Sequence, residues 1–137
     1  MNSAAAVKLT AYVCPKLSAA ASFLEDFIRR LEDSMRELSE KRGSISDETY
    51  MVEMQAYKSL INLARRVLDD TNTVDAMICT TLNPDYYTLY RALRILDNLL
   101  DTLQYGRGPR LPASIKGLIY EVRAHILRTI KGGGSGA

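Results

Sequence analysis

Between Leu17 and Leu38 apolar residues recur every three or four positions, as Leu17, Ala20, Leu24, Phe27, Leu31, Met35 and Leu38. That is the period of a helix with one buried face. Pro15 suits a first helical turn and Gly43 a stop, so the pattern predicts a helix over 15–42. Its opposite side carries Glu25/Arg29, Asp26/Arg30, Glu32/Arg36 and Glu37/Lys41, each pair four apart with the acid first, the favourable order for exposed pairs. Ser46 then has the chemistry of an N-cap, with Asp47 and Glu48 in the first turn and Ile45 and Tyr50 placed as a hydrophobic staple. A second helix over 47–70 follows, striped by Tyr50, Met54, Tyr57, Ile61, Ala64 and Leu68.

The polar run 71–73 predicts a break, after which 74–82 forms a short helix. Asn83 and Pro84 read as an N-cap and first helical residue of a helix over 84–105, whose apolar arc exceeds half the circumference and so requires more than one neighbour. Gly106 ends it. A basic loop containing Gly108, Pro109 and Pro112 leads to Ser114, the predicted cap of a last helix over 114–131 with core positions Ile115, Leu118, Ile119, Val122, Ile126 and Ile130. The stretch 4–13 adds another short helix limited by Pro15. No alternating strand pattern persists. The expected fold is an all-α antiparallel bundle of four main helices (15–42, 47–70, 84–105, 114–131) with one or two short ones (4–13, 74–82). Residues 1–131 form one domain, and 132–137 read as a flexible Gly/Ser tail, native or appended.

Composition leaves this picture intact: 137 residues with 47% apolar and 25% charged side chains suffice for a single core without metals or cross-links. No apolar run approaches the roughly 18–20 residues that span a bilayer, and the first residues lack a charged lead before an apolar stretch. The expectation is an intracellular protein, cytoplasmic or nuclear, with no membrane partner. Cys14 and Cys79 have no metal-ligand spacing and read as reduced, buried thiols, the alternative being a single disulfide between them.

Charge changes the picture more. Residues 1–104 carry 12 Lys+Arg against 15 Asp+Glu, whereas residues 105–137 carry 6 against 1, so a net charge of +2 conceals a basic C-terminal third. Such asymmetry can mark an electrostatic docking surface.

Four features compete for a functional reading. Leu17, Leu24, Leu31 and Leu38 form a strict heptad, but Pro15 and the apolar residues before it replace the basic region a DNA-binding zipper would need. The heptad reads as bundle core. His125, the single histidine, lies in Ala124-His125-Ile126-Leu127-Arg128-Thr129. Over these six residues the chain resembles the phosphorylated-histidine segment of histidine phosphotransfer domains, themselves four-helix bundles. Thr129 stands where that family has glycine, and the histidine is near the end of the fold, so His125 reads as a boundary residue at the core edge.

On the last helix Tyr120, Ala124 and Leu127 form a second stripe about 140° from the core stripe, bordered by Lys116, Arg123, Arg128 and Lys131, with Arg107 and Arg110 in the preceding loop. An apolar strip rimmed by cations suits an acidic amphipathic partner helix, or a second copy of the chain, with Tyr120 as anchor. The competing expectation is that 4–13 or 74–82 folds over this strip. A reserve interface is Tyr87 with Arg91, Arg94 and Asn98 on the polar side of the 84–105 helix.

With one histidine, no metal-spaced cluster, no Gly-rich phosphate loop and no GxSxG, the common catalytic constellations lack their parts, and no cofactor or metal is expected. The expected function is therefore a non-catalytic adaptor or scaffold domain binding another protein. Nucleic-acid binding by the basic C-terminal third is the alternative, and an all-helical enzyme without a visible motif is third.

Overall fold

A computed structural model describes the backbone of residues 2–135 and the side-chain surroundings of residues 2–132. Its elements are α1 (Ser3–Glu40), a 3-10 turn η1 (Arg42–Ser44), α2 (Asp47–Cys79), α3 (Tyr86–Tyr105) and α4 (Ala113–Ser135). α1 packs on α2 and α4, and α3 packs on the same two, so the four helices form a ring with α1 diagonal to α3. The fold is an all-α four-helix bundle, with no strand among the described residues.

Two expected breaks are absent. The short helix over 4–13 is the start of α1, which passes through Pro15 and is capped by Asn2, whose side-chain oxygen accepts from the Ala5 amide at 2.8 Å. Proline removes the amide that would bond the carbonyl of Ala11, and Ala11 lies on the solvent-exposed side of the helix. The short helix over 74–82 is likewise the end of α2. Thr71 is fully buried yet satisfied within the helix, its hydroxyl donating to the Val67 carbonyl at 2.7 Å, and Thr73 does the same to Asp69 at 2.9 Å. Back-bonding of this kind lets a polar run continue a helix.

Helix starts also shift. α3 is capped by Asp85, which accepts from the Thr88 amide at 2.7 Å, while Pro84 lies buried just ahead of the helix. Ser46 caps α2 as expected, accepting from the Thr49 amide at 3.1 Å. Ser114 is not a cap, because α4 already begins at Ala113 and the Ile115 amide donates to the Pro112 carbonyl. At the other end α4 continues to Ser135, so it takes in four residues of the expected Gly/Ser tail; 136–137 lie outside the described residues. Gly106 is the C-cap of α3: its amide donates to the Thr102 carbonyl at 3.0 Å, and a Cβ there would collide with the same carbonyl oxygen.

The leucine heptad is core: Leu17, Leu24, Leu31 and Leu38 are all buried. They join Val67, Val74 and Ile78 of α2, Leu89 and Leu96 of α3, and Ile115, Ile119 and Ile126 of α4, except that Leu38, with Met54, lies outside the main cluster. This separation follows from helix length. Lys16 pairs with Glu121 and Tyr12 stacks on His125, an antiparallel register that places the first residue of α4 opposite Leu24. The last turns of α1 and the first turns of α2 therefore project as a two-helix arm. Where the arm begins Glu32 reaches across to Arg65 at 3.8 Å, and Arg36 takes Asp33 at 3.1 Å; of the four expected acid-first pairs, Asp26/Arg30 forms, at 2.8 Å.

At the opposite end Cys14 and Cys79 are joined in a disulfide, with Cα atoms 5.9 Å apart. The reading of two reduced thiols is corrected by packing. The junction of α1 with the last residue of α2 brings the two positions to bridging distance, a proximity invisible while 74–82 is treated as a separate element.

Candidate protein interaction surfaces

α4 presents three kinds of position. Ile115, Ile119, Val122, Ile126 and Ile130 point into the core. One flank faces α1: Glu121 holds Lys16 at 2.8 Å, and this hydrogen bond keeps the Lys16 ammonium above its usual pKa. The His125 ring stacks on Tyr12, with centroids 4.2 Å apart and planes 19° from parallel. Its Nδ1 is buried without a hydrogen-bond partner among the described residues, and burial, then the Arg128 cation, push its pKa below 6.5. A ring stacked and partly buried in this way suits a boundary residue of the core better than an exposed phosphoryl carrier.

The other flank of α4 carries the expected docking stripe, and it turns toward α3. The Tyr120 hydroxyl donates to Gln104 Oε1 at 3.2 Å, and the Arg123 guanidinium pairs with Asp97. Lys116 lies 5.9 Å from the Tyr120 ring centroid. Ala124 and Leu127 are half-buried, and Tyr120 keeps 43% of its surface in solvent. Residues 4–13 and 74–82 do not fold over this strip, since the first lies along the opposite flank of α4 and the second is the end of α2. The stripe is instead the rim of the α3/α4 seam.

The six basic candidates are divided between roles. Arg110 closes the end of α3, donating to the carbonyls of Leu103 at 3.2 Å and Gln104 at 2.9 Å. Arg123 is held by Asp97. Arg107, Arg128 and Lys131 are exposed, and among the described residues they and Lys116 make no ion pair. Arg128 borders a groove shared with Lys8 and His125.

The most open aromatic surface is the reserve one. Along the outer side of α3, Tyr87, Arg91, Arg94, Asn98, Asp101 and Tyr105 are all exposed, with Tyr87 at 70% and Tyr105 at 72%. They follow one another at intervals of four and three residues, so they fall within about 80° of helix circumference, diametrically opposite Leu89 and Leu96 in the core. Arg91 leans over Tyr87, 5.8 Å from its centroid, and Tyr90, 55% exposed, flanks the row. Tyr90, Asp101 and Tyr105 were not singled out from sequence. A search for apolar stripes passes over a polar row, and the available signal was the regular four-three spacing itself.

Among the described residues no group of three or more His, Cys, Asp or Glu side chains could hold a metal ion, and no helix is long and apolar enough to cross a membrane. A groove where the arm begins is lined by Glu32, Met35, Arg36, Lys58 and Ile61, a mixture of charged and apolar side chains. Set against protein-family models, curated proteins and solved structures, the chain finds no match.

Proposed function

We propose that this chain is a non-catalytic protein-interaction module, an adaptor or scaffold domain that offers the outer surface of its α3/α4 half to a protein partner. The observation that carries the reading is the exposure of Tyr87, Tyr90 and Tyr105 beside Arg91 and Arg94 on one helix. Tyrosine and arginine are the residue types that anchor protein interfaces, and these make no contribution to the core. Tyr120, Lys116 and Lys131 extend the same half onto α4.

Nucleic-acid binding is the weaker alternative, because Arg110 and Arg123 are engaged within the molecule. The Cys14–Cys79 disulfide favours an oxidising compartment over the cytoplasm or nucleus expected from the sequence, since a reducing cytosol keeps thiols reduced. The test is affinity capture of protein from source-cell extract, with nuclease present, using the wild type, a Tyr87→Ala/Arg94→Ala variant and a Tyr120→Ala/Leu127→Asp variant. A nuclease-resistant protein complex, or self-association, that at least one variant loses while keeping its helical signal supports the reading. A protein that remains monomeric and captures nothing, or whose capture disappears with nuclease, overturns it.

A further inference from the structure

The outer row of α3 has an order that a random solvated face need not have. From the first turn to the last it runs Tyr87, Arg91, Arg94, Asn98, Asp101, Tyr105, so the outer two positions at each end mirror each other as aromatic then charged, around a central Arg94/Asn98 pair. The positions are symmetric about Leu96, and the charges at the mirrored positions Arg91 and Asp101 are opposite. Spacings of four, three, four, three and four residues are those of alternating seam positions in a two-helix coiled coil. The row is about 27 Å long at 1.5 Å per residue. All six side chains are exposed, and among the described residues neither Arg91, Arg94 nor Asp101 has an ion-pair partner.

We infer that α3 pairs with α3 of a second copy of this chain, antiparallel, about a two-fold axis at Leu96. In that arrangement Arg91 of each copy meets Asp101 of the other, Arg94 meets Asn98, and Tyr87 meets Tyr105. Each contact occurs twice, as an isologous interface requires. A parallel pairing would set Arg91 against Arg91 and Asp101 against Asp101, so the charge order selects the antiparallel one. The core is undisturbed, because Leu89, Ala92 and Leu96 face the other way. This rests on the interaction-module reading and names its partner.

One helix pair with a polar seam stands at the weak end of specific interfaces, so association is measured by sedimentation equilibrium at low salt from about 10 µM to about 1 mM. The wild type is expected to shift from monomer toward dimer across that range. Arg91→Glu and Asp101→Arg each place like charges at two contacts, and each alone is expected to weaken association at least about tenfold. Mixed in equal amounts, the two variants restore all the opposite-charge contacts between unlike chains, and a heterodimer at least as tight as the wild-type dimer is expected. The combined variant, carrying both changes, should again self-associate. All these positions are on the surface, and circular dichroism checks that each variant remains helical. A wild type that stays monomeric throughout, single variants that associate as well as wild type, or a mixture that fails to associate would overturn the pairing. A monomeric wild type that still captures a nuclease-resistant protein partner would sink only this inference, whereas one that captures nothing sinks the broader reading as well.

Discussion

His125 shows what a single side chain at a helix seam contributes. Its ring covers Tyr12 and its Nδ1 is shut from solvent, so the fold favours the neutral imidazole and lowers its pKa from 6.5. The charged groups nearest the seam reinforce this: Arg128 repels the proton, and Glu121 is engaged by Lys16. Within the window between the folded and unfolded pKa values the unfolded chain binds more protons, so stability rises with pH there. The stabilisation is complete above the unfolded value and lost as pH falls through the folded one. Urea unfolding of wild type and His125→Gln at about pH 7.5 and about pH 5 should show the wild type losing more stability on acidification than the variant. Equal losses would locate the acid sensitivity in the carboxylates both proteins share. At this scale the sequence was legible as far as burial: the heptad leucines and a boundary histidine follow from their place in the helical period. What Tyr12 does to His125 was not legible, because a stack between residues so far apart in the chain depends on the register of α1 against α4.

At the scale of elements, four helices were readable from periodicity, but their lengths were not. A helix runs on past a breaker when the residue that loses its bond is on the exposed side, as at Ala11, or when a hydroxyl returns to the preceding turn, as at Thr71. Extending α1 and α2 has an energetic consequence, since it brings Cys14 against Cys79 and closes a loop with a sequence separation of 65. Disulfides typically stabilise by about 2–4 kcal/mol, chiefly by restricting the unfolded chain in the usual model. Reduction under native conditions should therefore lower the urea midpoint by a corresponding amount without dismantling the helices, because the core residues around the bridge are apolar and buried. The Cys14→Ser/Cys79→Ser variant should show the same lower midpoint with or without reductant. If reductant does not move the wild-type midpoint, the bridge is not a stabilising tie. The row on α3 was legible only in part. Tyr87, Arg91 and Arg94 were visible as a polar face, but Asp101 and Tyr105 gain meaning only when the helix is seen to turn that whole face outward.

The whole molecule is unequal along its length. One end has four helices in contact, a disulfide and most of the core, whereas the arm has two helices, with Leu38 and Met54 buried outside the main cluster and Met51 and Val52 exposed at 65% and 64%. Fewer buried contacts per residue mean a smaller free energy for local opening. The disulfide fixes α1 to α2 at the far end and so cannot hold the arm closed. Native-state hydrogen exchange should accordingly divide α1 and α2 in the middle. Amides of 32–40 and 47–58 are expected to exchange by local opening at about one to two orders of magnitude above those of 13–28 and 64–78, and to keep that rate when the disulfide is reduced. The α3 amides lie on the four-helix end and should be protected like its core. Self-pairing through the outer row would leave the arms of the two copies free, since α3 spans only the bundled end, so raising the protein concentration should slow exchange on α3 and leave the arm unchanged. Uniform protection along α1 would mean that the arm is as firmly held as the bundle, and the division of the molecule into a clamped body and a looser projection would be wrong.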